Sequence, residues 1–193
     1  MADKFKNKYK IQSVRLQGYN YAQNGIYFVT ICTKNREYFF GEVINGKMIL
    51  SDAGKIASQF WKEIPKHFPF VNLDEYQIMP NHLHGIIEIN VETPNLGVLL
   101  KNNDFETPGS GVSTDGYNKN WKPGCLGVIV NQYKRICTIE IRKQLNPITF
   151  AWQSRFYDHI IRNDASLNKI REYITSNPVM WERDRNNTEN LFM

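Results

Sequence analysis

The segment Met79-Pro80-Asn81-His82-Leu83-His84-Gly85, followed by Ile86-Ile87-Glu88-Ile89, constrains the fold more than any other stretch of the chain. Successive side chains of a β-strand point to opposite faces. A strand here sends His82 and His84 to one face and Leu83, Ile87 and Ile89 to the other, toward a core. Two such histidines have Cα atoms roughly 6.5 Å apart, close enough for both imidazoles to hold one divalent ion. Pro80-Asn81 is a turn signal, because Pro presets the first central φ and Asn tolerates the second. The stretch predicts a hairpin whose second strand opens with a metal-ligand pair. Spacing alone does not separate that pair from two exposed surface histidines.

The rest of the chain supplies the partners of this hairpin. Its 193 residues suit one domain with a sizeable core. No segment has the apolar length of a membrane span, and the lysine-rich start has no apolar stretch behind it. A cytoplasmic protein without a membrane partner is expected. Cys32, Cys125 and Cys137 are odd in number and lack CxxC spacing, so buried free thiols are expected. The net charge of +5 favours a polyanionic partner. Residues 1–20 form a basic arm, with Lys4, Lys6, Lys8, Lys10 and Arg15 among Phe5 and Tyr9. Such an arm can hold phosphates and stack on bases, or simply solubilise a terminus.

Gly25 to Thr33 is β-branched and aromatic and predicts a buried central strand. Asn45-Gly46 between apolar runs predicts a small hairpin. Ser51 caps a helix to about His67, with Ile56, Phe60 and Ile64 at helical spacing. A strand from about Asn72 to Met79 is the first arm of the histidine hairpin. Residues 91–123 are rich in Asn, Gly, Thr, Ser and Pro and predict a flexible insertion. A second helix runs from Leu126 to about Gln144, and places Lys134, Arg135 and Arg142 on a basic face suited to phosphate contact. Phe150 to Ile161 reads as a strand. Asn163-Asp164 caps a last helix from Ala165 to Ser176, with Leu167, Ile170 and Ile174 as its apolar stripe. Tyr173 and Asn177 lie four apart at the edge of that stripe. Residues 182–193 read as a polar tail.

Without the small hairpin and the final helix, the order is βαββαβ. Right-handed crossovers close it as an α+β, ferredoxin-like sandwich with both helices on one face. The histidines would then occupy the open face, across which the added C-terminal helix can lie.

Several separated motifs resemble those of the Y1 family of HUH transposases, which includes insertion-sequence transposases and REP-associated tyrosine transposases. They are Gly18-Tyr19 leading to Tyr27-Phe28-Val29-Thr30, then Met79-Pro80-Asn81-His82-Leu83-His84. Trp152-Gln153 with Tyr157-Asp158-His159-Ile160-Ile161-Arg162 follows, and then Glu172-Tyr173-Ile174 with Asn177-Pro178. The resemblance spans about Arg15 to Pro178. It implies that His82 and His84 are metal ligands and that Tyr173 is the nucleophile. It implies Asn177 as third ligand, where the insertion-sequence branch often has Gln. Tyr157 is the rival nucleophile.

The implied activity is metal-dependent nicking and strand transfer on single-stranded DNA, often beside a hairpin, through a 5′-phosphotyrosine link. Mg²⁺ and Mn²⁺ are both suited to such a site. The basic arm and Lys134, Arg135 and Arg142 would grip the strand. The family admits a monomer or a homodimer, since a dimer can set one chain's tyrosine helix against the other chain's histidines. Two further readings remain open: a module that binds hairpin nucleic acid without cutting, and a metal-dependent hydrolase in which Tyr173 is only structural.

Overall fold

The computed structural model describes residues 23–90, 125–145 and 149–188, together with the backbone of two short N-terminal strands. These strands, β1 (Lys4–Phe5) and β2 (Lys8–Tyr9), pair antiparallel. The side chains of the basic arm and the insertion read at 91–123 lie outside the described residues.

The β-branched segment becomes β3 (Gly25–Cys32), whose middle is buried on both faces. A small hairpin follows, β4 (Gly41–Ile44) and β5 (Lys47–Leu50). Its turn residues Asn45 and Gly46 both have positive φ, 51° and 71°, as a two-residue hairpin loop matching strand twist requires. Helix α1 (Asp52–His67) starts at Ser51, whose hydroxyl accepts from the Gly54 amide at 3.1 Å. Such a cap contributes about 1 kcal/mol. Strand β6 (Val71–Met79) turns through Pro80-Asn81 into β7 (His82–Ile89). Helix α2 (Leu126–Leu145), β8 (Tyr157–Ile161) and α3 (Asp164–Ser176) complete the frame. Asn163 caps α3 by accepting from Ser166 N at 2.8 Å.

The result is a mixed α+β fold with three α-helices among the described residues. Its central sheet is antiparallel throughout, in the order β6-β7-β3-β8. One face of the sheet carries Tyr27, Val29 and Ile31 of β3 and Leu83, Ile87 and Ile89 of β7. They pack with Ile56, Trp61 and Ile64 of α1 and Ile129, Tyr133 and Cys137 of α2. Each large side chain buried there contributes roughly 1.5–3 kcal/mol. The other face carries Phe28 and Ile86, covered by Leu167 and Ile174 of α3. Arg171 of α3 ties that helix to β6, donating from Nε to both oxygens of Asp74 at 3.0 and 3.1 Å.

The strand read over Phe150 to Ile161 is shorter than expected. Trp152 makes an isolated bridge to Thr33, and regular pairing begins only at Tyr157. Phe150 and Trp152 turn their rings into an aromatic cluster with Phe39 and Phe40, while the backbone at Ala151 and Gln153 bonds Lys34 and Cys32 without forming a regular strand. Of the three thiols only Cys137 is buried; Cys32 and Cys125 are half-buried.

Gly85 sits on β7 directly beneath Trp61, and a Cβ there would overlap the indole ring. Trp61 is fully buried and cannot yield without moving α1. Gly85→Ala should therefore cost about 1–3 kcal/mol by overpacking. Urea unfolding checks this, and Trp61→Phe in the same background should recover part of the loss. An unchanged midpoint for Gly85→Ala would contradict the packing described.

Candidate metal and nucleophile site

The period of β7 places both histidines on the face opposite the main core. His82 lies across from Cys32 and Met79, and His84 across from Thr30 and Gln77. Both rings are fully buried. Their Nε2 atoms face each other at 3.0 Å, and His84 Nδ1 lies 2.9 Å from Thr30 Oγ1. Phe28 stacks on His84 at 5.3 Å and meets Tyr173 edge-on at 6.1 Å. Tyr173, on the third turn of α3, reaches over this ring and brings its hydroxyl to 3.2 Å from His84 Nε2.

Asp184, which the sequence reading did not single out, joins the two histidines in a buried cluster. Ligand-capable atoms of His82, His84 and Asp184 all lie within 4.8 Å of one another. Asn177, the third ligand that the resemblance implies, is buried beside the carboxylate and donates from Nδ2 to Asp184 Oδ2 at 3.1 Å. Asp184 Oδ1 also accepts from the Asn186 amide at 2.6 Å. Asp184 belongs to the stretch read as a polar tail. That stretch is tied down by Arg36 Nη1 donating to the Arg185 carbonyl at 2.6 Å and Tyr38 Oη donating to Asn187 Oδ1 at 2.7 Å. Trp181 is buried beside His82, with ring centroids 6.0 Å apart. Only the Trp, in an otherwise polar run, hinted in the sequence that this segment docks.

Burial sets the charge states. It pushes His82 well below the usual imidazole range, and the neighbouring His84, Arg36 and Arg185 act in the same direction. Burial also lowers His84, to about 4, with Asp184 opposing and Arg185 assisting. Both rings are thus neutral at pH 7 and carry lone pairs. Burial and then the Asp184 charge raise the Tyr173 phenol, while Arg185 and a hydrogen bond from Asn177 pull it back.

The donor set suits a divalent ion. Two cis ligands at about 2.1 Å from one octahedral ion stand about 3 Å apart, and the two imidazole nitrogens are 3.0 Å apart. Asn177 Oδ1, also buried, has no hydrogen-bond partner among the described residues, so an acceptor beside the cluster is still to be satisfied. Carboxylate oxygen suits Mg²⁺, whereas the imidazoles make Mn²⁺ at least as suitable.

The remaining sequence candidates scatter. Lys134 is not on a solvent face: it is buried and donates from Nζ to the Gln153 and Ser154 carbonyls at 2.6 and 3.4 Å. Arg135 is exposed, and Arg142 donates from Nη2 to the Phe150 carbonyl at 2.8 Å. All three belong to α2, which packs on the face of the sheet away from the histidines, so the structure does not bring them to the cluster. The side chains of Lys4, Lys6, Lys8, Lys10 and Arg15 lie outside the described residues. Tyr157 shares the histidine face but is separated from His84 by Thr30, two strands away. The basic groups around the site are instead Arg36, Arg183 and Arg185, from a loop and the C-terminal segment. A cleft of about 620 Å³ beside the cluster is lined by Phe28, Tyr157, Tyr173, Asn177, Arg183 and Asp184.

No family model matches the chain. A Haemophilus influenzae protein, described only as an uncharacterized protein, is 42% identical over 177 residues, which cover 90% of this chain and 91% of the relative. The chain belongs to that protein's family. A second Haemophilus influenzae protein, named as a REP-associated tyrosine transposase, is 23% identical over 160 residues, 83% of this chain and 73% of its own. The solved structure of a REP-associated tyrosine transposase bound to a REP hairpin matches with a TM-score of 0.51 and 16% identity. That match covers 89% of this chain and 74% of the other, and shows the shared fold. The chain is thus a distant, Y1 transposase-like relative of the REP-associated enzymes.

The buried imidazoles make stability depend on pH with a defined sign. Unfolded, they titrate near 6.5; folded, His84 titrates near 4 and His82 is also well below 6.5. Between these values the unfolded chain binds protons that the folded chain refuses. Their contribution is whole above about pH 6.5 and is lost as pH falls toward 4. The thermal midpoint of the ion-free protein should decline from pH 7 to pH 5, and less steeply in His82→Gln with His84→Gln. Equal slopes would assign the loss to other groups.

Proposed function

We propose that this protein nicks and rejoins single-stranded DNA beside a hairpin, with Tyr173 as nucleophile and a divalent ion on His82, His84 and Asp184. The carrying observation is the 3.2 Å approach of the Tyr173 hydroxyl to His84 Nε2 within a buried His-His-Asp cluster of one chain. That arrangement supports a site complete within one protomer. The sheet order β6-β7-β3-β8, with α1 and α2 on one face, supports the split βαβ, ferredoxin-like reading on which Y1 chemistry is built.

Bound there, a Mg²⁺ or Mn²⁺ ion would polarise the scissile phosphate and offset the charge that develops on it. Tyr173 supplies the attacking oxygen. Its O–P bond forms as the P–O3′ bond breaks, and the proton lost by the phenol balances the one gained by the 3′-oxygen. Burial holds the phenol protonated at rest, and Arg185 with Asn177 favours its ionised form as attack proceeds. The phosphotyrosine ester conserves the bond, so a second 3′-hydroxyl can reverse the step and join strands without a nucleotide cofactor. Phe28 keeps the phenol and His84 aligned from below.

The strand itself has two adjoining clefts to follow. The larger holds Tyr173 and Asp184. The smaller, about 320 Å³, is lined by Arg36, Arg155, Phe156 and Tyr157, and Arg185 borders both. Guanidinium groups beside aromatic rings suit the phosphates and bases of a single strand. The REP hairpin held by the structural neighbour supports a hairpin-bearing substrate here.

The test is the yield of denaturation-resistant protein–DNA adduct on a labelled single strand carrying a REP-type hairpin, in Mn²⁺. Tyr173→Phe should reduce it to background with fold and DNA binding intact. Asp184→Ala and His82→Ala should lower it by about 10²-fold or more and weaken Mn²⁺ binding. Tyr157→Phe should retain it. An adduct that persists in Tyr173→Phe would overturn the assignment, and hairpin binding without any wild-type adduct would leave a binding module.

A further inference from the structure

Asn81 occupies the turn between β6 and β7 and is fully buried. Its Nδ2 donates to two backbone carbonyls, that of Arg36 at 3.1 Å and that of Asn186 at 2.8 Å. Carbonyl oxygens only accept, so the amide can sit only one way round. Its Oδ1 therefore faces His82 Nδ1, at 2.8 Å. This oxygen also only accepts, so Nδ1 must carry the ring proton. In a neutral imidazole the other nitrogen is then a bare lone pair. That nitrogen is Nε2, the atom turned toward His84 and the centre of the cluster.

His84 has no such fixed partner. Its Nδ1 faces the Thr30 hydroxyl, which can donate or accept. His84 can therefore hold its proton on Nε2 in the ion-free chain and move it to Nδ1 when a cation needs the lone pair, with the hydroxyl rotating to accept. His82 has no equivalent freedom. The same Asn81 amide that fixes it also holds the Asn186 carbonyl, two residues beyond Asp184 in the turn that the Asp184 carboxylate itself closes.

We propose that Asn81 is a positioning residue that locks His82 in its cation-binding tautomer and pins the turn carrying Asp184, so that one side chain prepares two of the three donors. This rests on the metal-site reading above, but the tautomer is a property of the ion-free protein and is measured without the ion. A ligand held in register by an outer hydrogen bond loses about 10- to 100-fold in metal affinity when that bond is removed.

The experiment pairs long-range ¹H–¹⁵N correlation spectra of the ion-free protein with Mn²⁺ titration. Wild-type His82 should show its proton on Nδ1. Asn81→Ala should lose that preference and weaken Mn²⁺ by about 10- to 100-fold. Asn81→Asp keeps an acceptor for Nδ1 but no donor for the two carbonyls. It should keep the tautomer while Mn²⁺ affinity still falls, separating the two roles. A wild-type ring protonated on Nε2 would overturn the inference even if Mn²⁺ binds, and needs no variant to be seen. Retained Mn²⁺ affinity in Asn81→Ala would overturn it as well. A wild-type protein with the expected tautomer that binds no Mn²⁺ would overturn it by another route, by removing the metal site.

Discussion

The structure depends on the register of β7 against β3. Eight consecutive pairs, Gly25 with Ile89 through Cys32 with His82, fix which side chains of β7 face which layer. With that register, Leu83, Ile87 and Ile89 enter the main core and His82 and His84 enter the second face. A slip of one residue would put both imidazoles against α1 and α2 and expel the isoleucines. Burial of the apolar set therefore positions the polar set, and the site's precision comes from the core's.

Two imidazoles and a carboxylate buried together are costly unless their charges are managed. Burial keeps the imidazoles neutral, and Asn177 and the Asn186 amide satisfy the carboxylate. Arg36 and Arg185 add positive potential that lowers His82 further, and Arg185 does the same for His84. On the opposite layer Lys134 shows the contrast: its charge is spent on the Gln153 and Ser154 carbonyls, where it fastens α2 to the segment entering β8.

Much of the architecture was legible because it rests on short-range periodicity. β-branched and aromatic residues gave β3, strand alternation around the histidine pair gave β7, the 3.6-residue stripes gave α1 and α3, and Ser51, Asn163 and Asn45-Gly46 marked caps and a turn. The extent of β8 was not legible, because Phe150 and Trp152 are as aromatic as strand residues yet are claimed by Phe39 and Phe40, which are distant in sequence. The burial of Lys134 on α2 was not legible for a related reason. Helical spacing tells which residues share a side, but not whether a lysine there reaches solvent or a neighbouring carbonyl.

By itself, then, the sequence determined the pair of histidines on one strand face and a tyrosine at the edge of an amphipathic helix, since both follow from local repeat geometry. The tertiary structure alone decided that this tyrosine meets His84, that Asp184 joins them, and that Asn81 faces His82. Those contacts join residues up to about a hundred positions apart. The segment from Trp181 to Thr188 has no apolar period to announce it. It is held by hydrogen bonds to loops, and hydrogen bonds of that kind leave no pattern in the order of residues.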